Sequence, residues 1–86
     1  MNIHVTNLSC NIGDADLMKI FSAYGAVDSL IIMRDKLNGR SKGVAMVDMI
    51  NDSQARQAIL CLDHTVLDGK TINVAEVRYS IRDYKN

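Results

Sequence analysis

Few residues in this 86-residue chain have the types and spacing for chemistry. Cys61 and His64 stand at a spacing that two zinc ligands can share, but no second close pair completes the tetrahedral set that zinc takes. The expectation is a thiol at a helix end beside a surface histidine, with no metal. Gly69-Lys70-Thr71 has the ending of a phosphate-binding loop, yet the glycine required five positions earlier is His64, and a strand-like run follows where a helix is needed. No serine, histidine and aspartate are set around a nucleophile motif. The chain is therefore read as a non-enzyme without a cofactor. What remains is charge. Arg34, Lys36, Arg40 and Lys42 gather around Asn38-Gly39, and Lys70, Arg78, Arg82 and Lys85 lie near or after the last apolar run. Basic clusters of this kind suit phosphate. The net charge is zero, which argues against strong non-specific attraction to a polyanion. With Asp14, Asp16, Asp52 and Asp63 in or beside the predicted helices, a polarised molecule and an evenly mixed surface both fit.

The elements that must position these residues follow from periodicity. Over Arg40 to Met49, Gly43, Ala45, Val47 and Met49 alternate with Lys42, Val44, Met46 and Asp48, so a strand has one small or apolar face and one mixed face. Asn38-Gly39 predicts a hairpin from the apolar run Val27 to Met33. Val27, Leu30 and Ile32 take its buried side, and a bulge near Asp28 and Ser29 reconciles their spacing, leaving Ile31 and Met33 outward. Ile3 to Leu8 is a further strand, with Ile3 and Val5 inward and His4 and Thr6 outward. Gly13 with Asp14 and Asp16 marks a helix start, Ile12 and Leu17 form a hydrophobic staple, and Leu17, Ile20, Phe21 and Tyr24 share a face that ends at Gly25. Asn51 and Gln54 predict a capping box for a second helix whose stripe is Ala55, Ala58, Ile59 and Leu62. Leu67-Asp68-Gly69-Lys70 turns into a last strand, Thr71 to Val77, with Ile72 and Val74 inward and Asn73 and Ala75 outward. The order is strand, helix, strand, strand, helix, strand.

Lys42-Gly43-Val44-Ala45-Met46-Val47-Asp48-Met49 resembles the octapeptide of the RNA recognition motif, and Ile3 to Leu8 resembles its companion hexapeptide. The likeness extends through Asp35 to Ser41 and Leu67 to Lys70, and in length the chain is similar to short single-domain bacterial members. Together with the element order, it implies an α+β, ferredoxin-like βαββαβ sandwich: a four-stranded antiparallel sheet with two helices on one face. Residues 1–77 are expected to form the domain and residues 78–86 a tail. The resemblance also implies binding of single-stranded RNA, and by extension single-stranded DNA. His4, Lys42, Val44 and Met46 fall on its contact positions, Arg34, Arg40 and Arg78 on phosphate, and the outward Thr6, Ile31, Met33 and Asn73 complete the surface. The family's three surface aromatics are replaced here by His4, Val44 and Met46, which predicts weak binding.

A rival reading is a protein partner or a homodimer, because Ile31, Met33, Val44 and Met46 would make a contiguous aliphatic patch. The tail carries Tyr79 and Tyr84. It can extend the surface by stacking on bases, fold over the surface and hide it, or do neither, as chain ends often do. No apolar run approaches the ~20 residues of a membrane helix, and the start has no signal-peptide pattern, so no membrane partner and a cytoplasmic location are expected. Cys10 and Cys61 are expected as reduced thiols.

Overall fold

The computed structural model describes residues 1–78. Strand β1 (Asn2–Thr6) leads to helix α1 (Asp14–Ser22), strands β2 (Val27–Arg34) and β3 (Ser41–Met49), helix α2 (Asp52–Leu62), the short pair β4 (Val66–Leu67) and β5 (Lys70–Thr71), and strand β6 (Asn73–Val77). The main sheet has the order β2-β3-β1-β6, and every neighbouring pair is antiparallel. This is the ferredoxin-like βαββαβ sandwich, with one added hairpin before its last strand.

Alternation builds the sheet. Ile3 and Val5 of β1, Ala45, Val47 and Met49 of β3, Ile32 of β2 and Val74 of β6 share one cluster with Leu17 and Phe21 of α1 and Ala55 and Ala58 of α2. Both helices therefore cover a single face, and the alanines let α2 approach the sheet closely. Ile20, Val27, Leu30, Ile59 and Leu62 are half-buried at the margin of this core. Leu8 and Ile12, from the connection between β1 and α1, add to the centre.

Both helix starts follow the sequence. Gly13 caps α1, its N–H donating to Asp16 Oδ2 at 2.9 Å, and Ile12 and Leu17 meet in the core as a staple. At α2, Asn51 Oδ1 accepts from the Gln54 N–H at 2.9 Å. The reciprocal half of the expected box is absent among the described residues, because the Gln54 side chain instead lies where a Cβ on Gly25 would stand. Gly25 does not end α1 as expected. The helix stops at Ser22, tightened by Tyr24 N–H to Phe21 O at 3.0 Å, and Gly25 serves the contact with Gln54.

Of the two glycine turns, one follows its sequence and one does not. Asp68 and Gly69, at φ of 51° and 78°, form the two-residue hairpin between Leu67 and Lys70. Asn38-Gly39 does not make such a turn, since only Gly39 has positive φ and the Asp35 carboxylate accepts from the Leu37 and Asn38 N–H groups. The resulting loop holds Leu37 in solvent, 97% exposed. The expected bulge near Asp28 is present as an extra residue between the Val27–Met49 and Ser29–Asp48 pairs. The last long strand begins at Asn73, because Thr71 is taken by the small hairpin and Ile72 bonds Thr65.

Candidate nucleic-acid interface

The face opposite the helices carries three cross-strand rows. Ile31 faces Met46, which faces His4, which faces Ala75. One step along, Val44, Thr6 and Asn73 are neighbours, with Met33 beyond them on β2. Ser29, Asp48, Asn2 and Val77 make the third row. The sequence-predicted residues His4, Thr6, Ile31, Met33, Val44, Met46 and Asn73 are thus brought together on one surface. Tyr79 lies outside the described residues.

Exposure divides that group. Asn73 is open to solvent, Ile31 is 37% exposed, and His4, Thr6 and Val44 are half-buried. Met33 and Met46 are closed off at 2% and 0%, although they lie outside the core cluster. The aliphatic patch expected for a protein partner is therefore reduced to Ile31 and Val44 in accessible terms. Alternation predicts a residue's face and not its cover.

The end of the sheet is shaped by two backbone devices. Strand β1 stops at Thr6 and not at Leu8, because Asn7 turns into the left-handed region at φ 60° and its Nδ2 donates to Thr71 O at 2.7 Å. Leu8 then dips into the core and its N–H donates to Gly43 O at 3.0 Å. Gly43 itself sits at φ 77°, and a Cβ there would meet Leu8 O at 3.0 Å. The pairing confirms a bulge: three β3 residues lie between Ser41 and Ala45, opposite the single residue Met33 between Arg34 and Ile32. Glycine is needed in the octapeptide for this conformation and this close approach. Between these segments lies a cleft of about 590 Å³, whose lining includes Thr6, Asn7, Lys42, Val44, Lys70 and Asn73.

The cations stand around these rows. Arg34, Arg40 and Lys42 flank the β2–β3 loop and Arg78 follows β6, all exposed. Arg34 Nη1 also donates to Gly39 O at 3.3 Å, which steadies it at the loop. Asp14, Asp16 and Asp52 are exposed on the helices, so acid and base are partly segregated. Two titrations are perturbed among the described residues. Hydrogen bonds from Ser9 Oγ and Asn11 Nδ2 hold the Asp68 carboxyl below its ordinary range, tying the β1–α1 connection to the small hairpin. Tyr24 is raised, first by burial and then by Cys61, away from the outer face. Asn7 and Lys70 are among the lining residues that sequence reasoning did not select as contacts. A left-handed asparagine at a strand end, and a lysine just after Asp68-Gly69, are the signals that could have found them.

An antiparallel sheet with one face under two helices and the other edged by cations defines a surface-binding domain of the split βαβ class. The chain belongs to the RNA recognition motif family, whose model matches residues 3–73. It is 40% identical over 79 residues to a sex-lethal homolog of Musca domestica, covering 87% of this chain and 24% of that protein. The crystal structure of RNA binding protein PG1 superposes with a TM-score of 0.90 at 35% identity, covering 93% of this chain and 96% of that one. A sex-lethal protein in complex with RNA superposes at a TM-score of 0.82 and 38% identity, covering 86% of this chain and 46% of that one. The chain spans about a quarter of the length of the curated relatives it matches.

Proposed function

We propose that residues 1–77 bind single-stranded RNA across the outer sheet face, joined by Arg78 at its margin, with Arg34, Arg40, Lys42 and Arg78 on phosphates and His4, Thr6, Val44 and Asn73 beneath the bases. The observation that carries this reading is the coincidence of the family's octapeptide and hexapeptide positions on two adjacent central strands, facing away from both helices. The sex-lethal complex, whose protein holds RNA on a closely similar fold, supports it. On the described outer face only His4 has a π system, so stacking, worth ~1 to 3 kcal/mol per base on an aromatic, is confined to one position. Affinity then depends heavily on phosphate contacts. The exposed, unpaired thiols of Cys10 and Cys61 suit a cytoplasmic site of action.

The test is titration of labelled single-stranded RNA and DNA pools at several salt concentrations. Four phosphate contacts give a slope of log K against log salt of roughly −3 on a single strand. A preference for RNA over DNA of the same sequence marks use of the 2′-hydroxyl. Absence of binding at high RNA concentration and low salt would overturn the reading. Mass measurement of the free protein is expected to give a monomer, since Ile31 and Val44 supply far less than the ~800 Å² per partner of a standard interface.

A further inference from the structure

The loop between β2 and β3 holds a pair of residues whose chemistry the fold does not use up. Asn38 is the one asparagine of the chain that is followed by glycine, and the pair does not form the tight turn its sequence permits. Both residues are exposed. Asn38 Oδ1 accepts from the Arg40 N–H at 2.9 Å, an Asx turn that folds the side-chain amide back over Gly39. An amide carbon held beside the next residue's nitrogen is placed for ring closure, because proximity replaces a bimolecular encounter. The same hydrogen bond polarises the carbonyl and receives the charge that develops on its oxygen during attack.

Glycine completes the arrangement. Its nitrogen carries no Cβ neighbour to shield it, and a Cβ built at Gly39 would meet no atom within 4 Å, so the loop leaves room for a ring. Arg34 Nη1 donates to Gly39 O at 3.3 Å, and Lys36 and Arg40 are exposed in the same loop, a set of cations that favours loss of a proton nearby. One contact opposes the reaction. The Gly39 N–H donates to Asp35 O at 2.8 Å, and this bond must open before the nitrogen attacks. In an exposed loop such opening is local and takes far less free energy than global unfolding, so the bond sets the pace without forbidding the step.

We infer that Asn38 is a self-modification site whose product lowers the charge of the basic loop and loosens its hold on phosphate, a consequence that rests on the RNA-binding reading above. The Gly39 nitrogen gives its proton to solvent and bonds to Asn38 Cγ, and the Cγ–N bond of the side-chain amide breaks to release ammonia. Water then opens the five-membered ring at either carbonyl. Breaking the bond between Gly39 N and Cγ leaves aspartate, and breaking the main-chain bond leaves isoaspartate. Water enters, ammonia leaves, and nothing is oxidised or reduced. Either product sets a carboxylate among Arg34, Lys36, Arg40 and Lys42 and takes the chain from zero formal net charge to one negative charge.

Purified full-length protein is incubated in a slightly acid and a slightly alkaline buffer, and its proteolytic peptides are weighed over time. Replacement of the amide NH₂ by OH adds about 1 Da. The gain is expected on the peptide that carries Asn38, faster in the alkaline buffer, and ahead of Asn7, Asn51 and Asn73, which are followed by Leu8, Asp52 and Val74. Asn38→Ser, which keeps an oxygen for the Arg40 N–H, gains no mass there. Fluorescence anisotropy with single-stranded RNA then compares fresh protein, aged protein and Asn38→Asp, with aged Asn38→Ser as the control for other damage. One added negative charge near phosphate is expected to weaken binding by about two- to threefold at low salt, with the gap closing as salt rises. If the Asn38 peptide gains mass no faster than the other asparagine peptides, or at one rate in both buffers, the modification site is overturned. If RNA binds and both aged protein and Asn38→Asp bind as tightly as fresh protein, the consequence is overturned while the RNA reading stands. If fresh protein binds no RNA, that reading falls and takes the consequence with it.

Discussion

Gly43→Ala tests the close approach that shapes the end of the sheet. Two costs are separable. Placing an alanine at φ 77° imposes the left-handed conformation on a residue with a Cβ, worth ~1 to 2 kcal/mol. The new Cβ would also stand 3.0 Å from Leu8 O, so strand β3 and the β1–α1 connection must part by a few tenths of an ångström, weakening the Leu8 N–H to Gly43 O bond, a net ~0.5 to 1.5 kcal/mol. The sum is a loss of about 1.5 to 3.5 kcal/mol. Gly39→Ala isolates the first cost, because φ there is 70° and a Cβ added at that position would meet no atom within 4 Å. Its expected loss is ~1 to 2 kcal/mol. Urea unfolding of the two variants and the wild type, with the slope of each transition checked for constancy, measures the difference. If Gly43→Ala proves no more damaging than Gly39→Ala, the tie between Leu8 and Gly43 is not a rigid wall, and the reasoning that makes the cleft preformed fails.

Phe21 is fully buried between α1 and the sheet, so Phe21→Ala should lower stability by ~3 to 5 kcal/mol in the same urea assay, and a nearly unchanged midpoint would contradict its place in the core. Val44→Phe restores a ring on the accessible row beside Thr6; one added base stack of ~1 to 3 kcal/mol should tighten RNA binding about tenfold by anisotropy, and no gain for any RNA pool would count against bases lying there. Because hydrogen bonds from Ser9 and Asn11 depress the Asp68 pKa below its ordinary 3.8, its stabilising effect is complete above that pH and is lost as pH falls through the lower folded value. Asp68→Asn should therefore lower Tm at pH 7 and begin to converge with the wild type as pH falls below about 3.8, meeting it below the lowered folded pKa; a gap that stays constant down to pH 2 would show that ionisation is not involved.

Most of the architecture was legible because it rests on period-two alternation. Ile3 and Val5, Ala45 and Val47, and Ile72 and Val74 all point where their spacing requires, and even the Asp28 bulge followed from the need to bury Leu30 and Ile32 after Val27. Legibility failed where a tertiary partner chose among local options. Asn38-Gly39 permits a tight hairpin, but the Asp35 side chain captures the loop's N–H groups and makes a wider one. Gly25 could have ended α1 in the left-handed region, yet its value is the room it leaves for Gln54. At the interface, the outward set from His4 to Asn73 was readable from alternation, and the cleft was not. It depends on Asn7 reaching Thr71 and Leu8 reaching Gly43, contacts between segments far apart in sequence that no local pattern encodes.

The irregularities of β2 have an effect on how copies of the chain meet one another. β2 is an edge strand, and its run Leu30-Ile31-Ile32-Met33 is the kind of apolar, β-prone segment that can recruit a strand from another molecule. On either side of that run the ladder with β3 is broken, by the extra residue at Asp28 and by the β3 bulge opposite Met33, and a charged residue, Asp28 or Arg34, flanks each break. A straight, flat template is thereby shortened to a few residues, bent at both ends and bracketed by charge. The devices that set register within the molecule thus also leave the edge short, bent and charged, the features by which edge strands are kept from recruiting a strand of another copy.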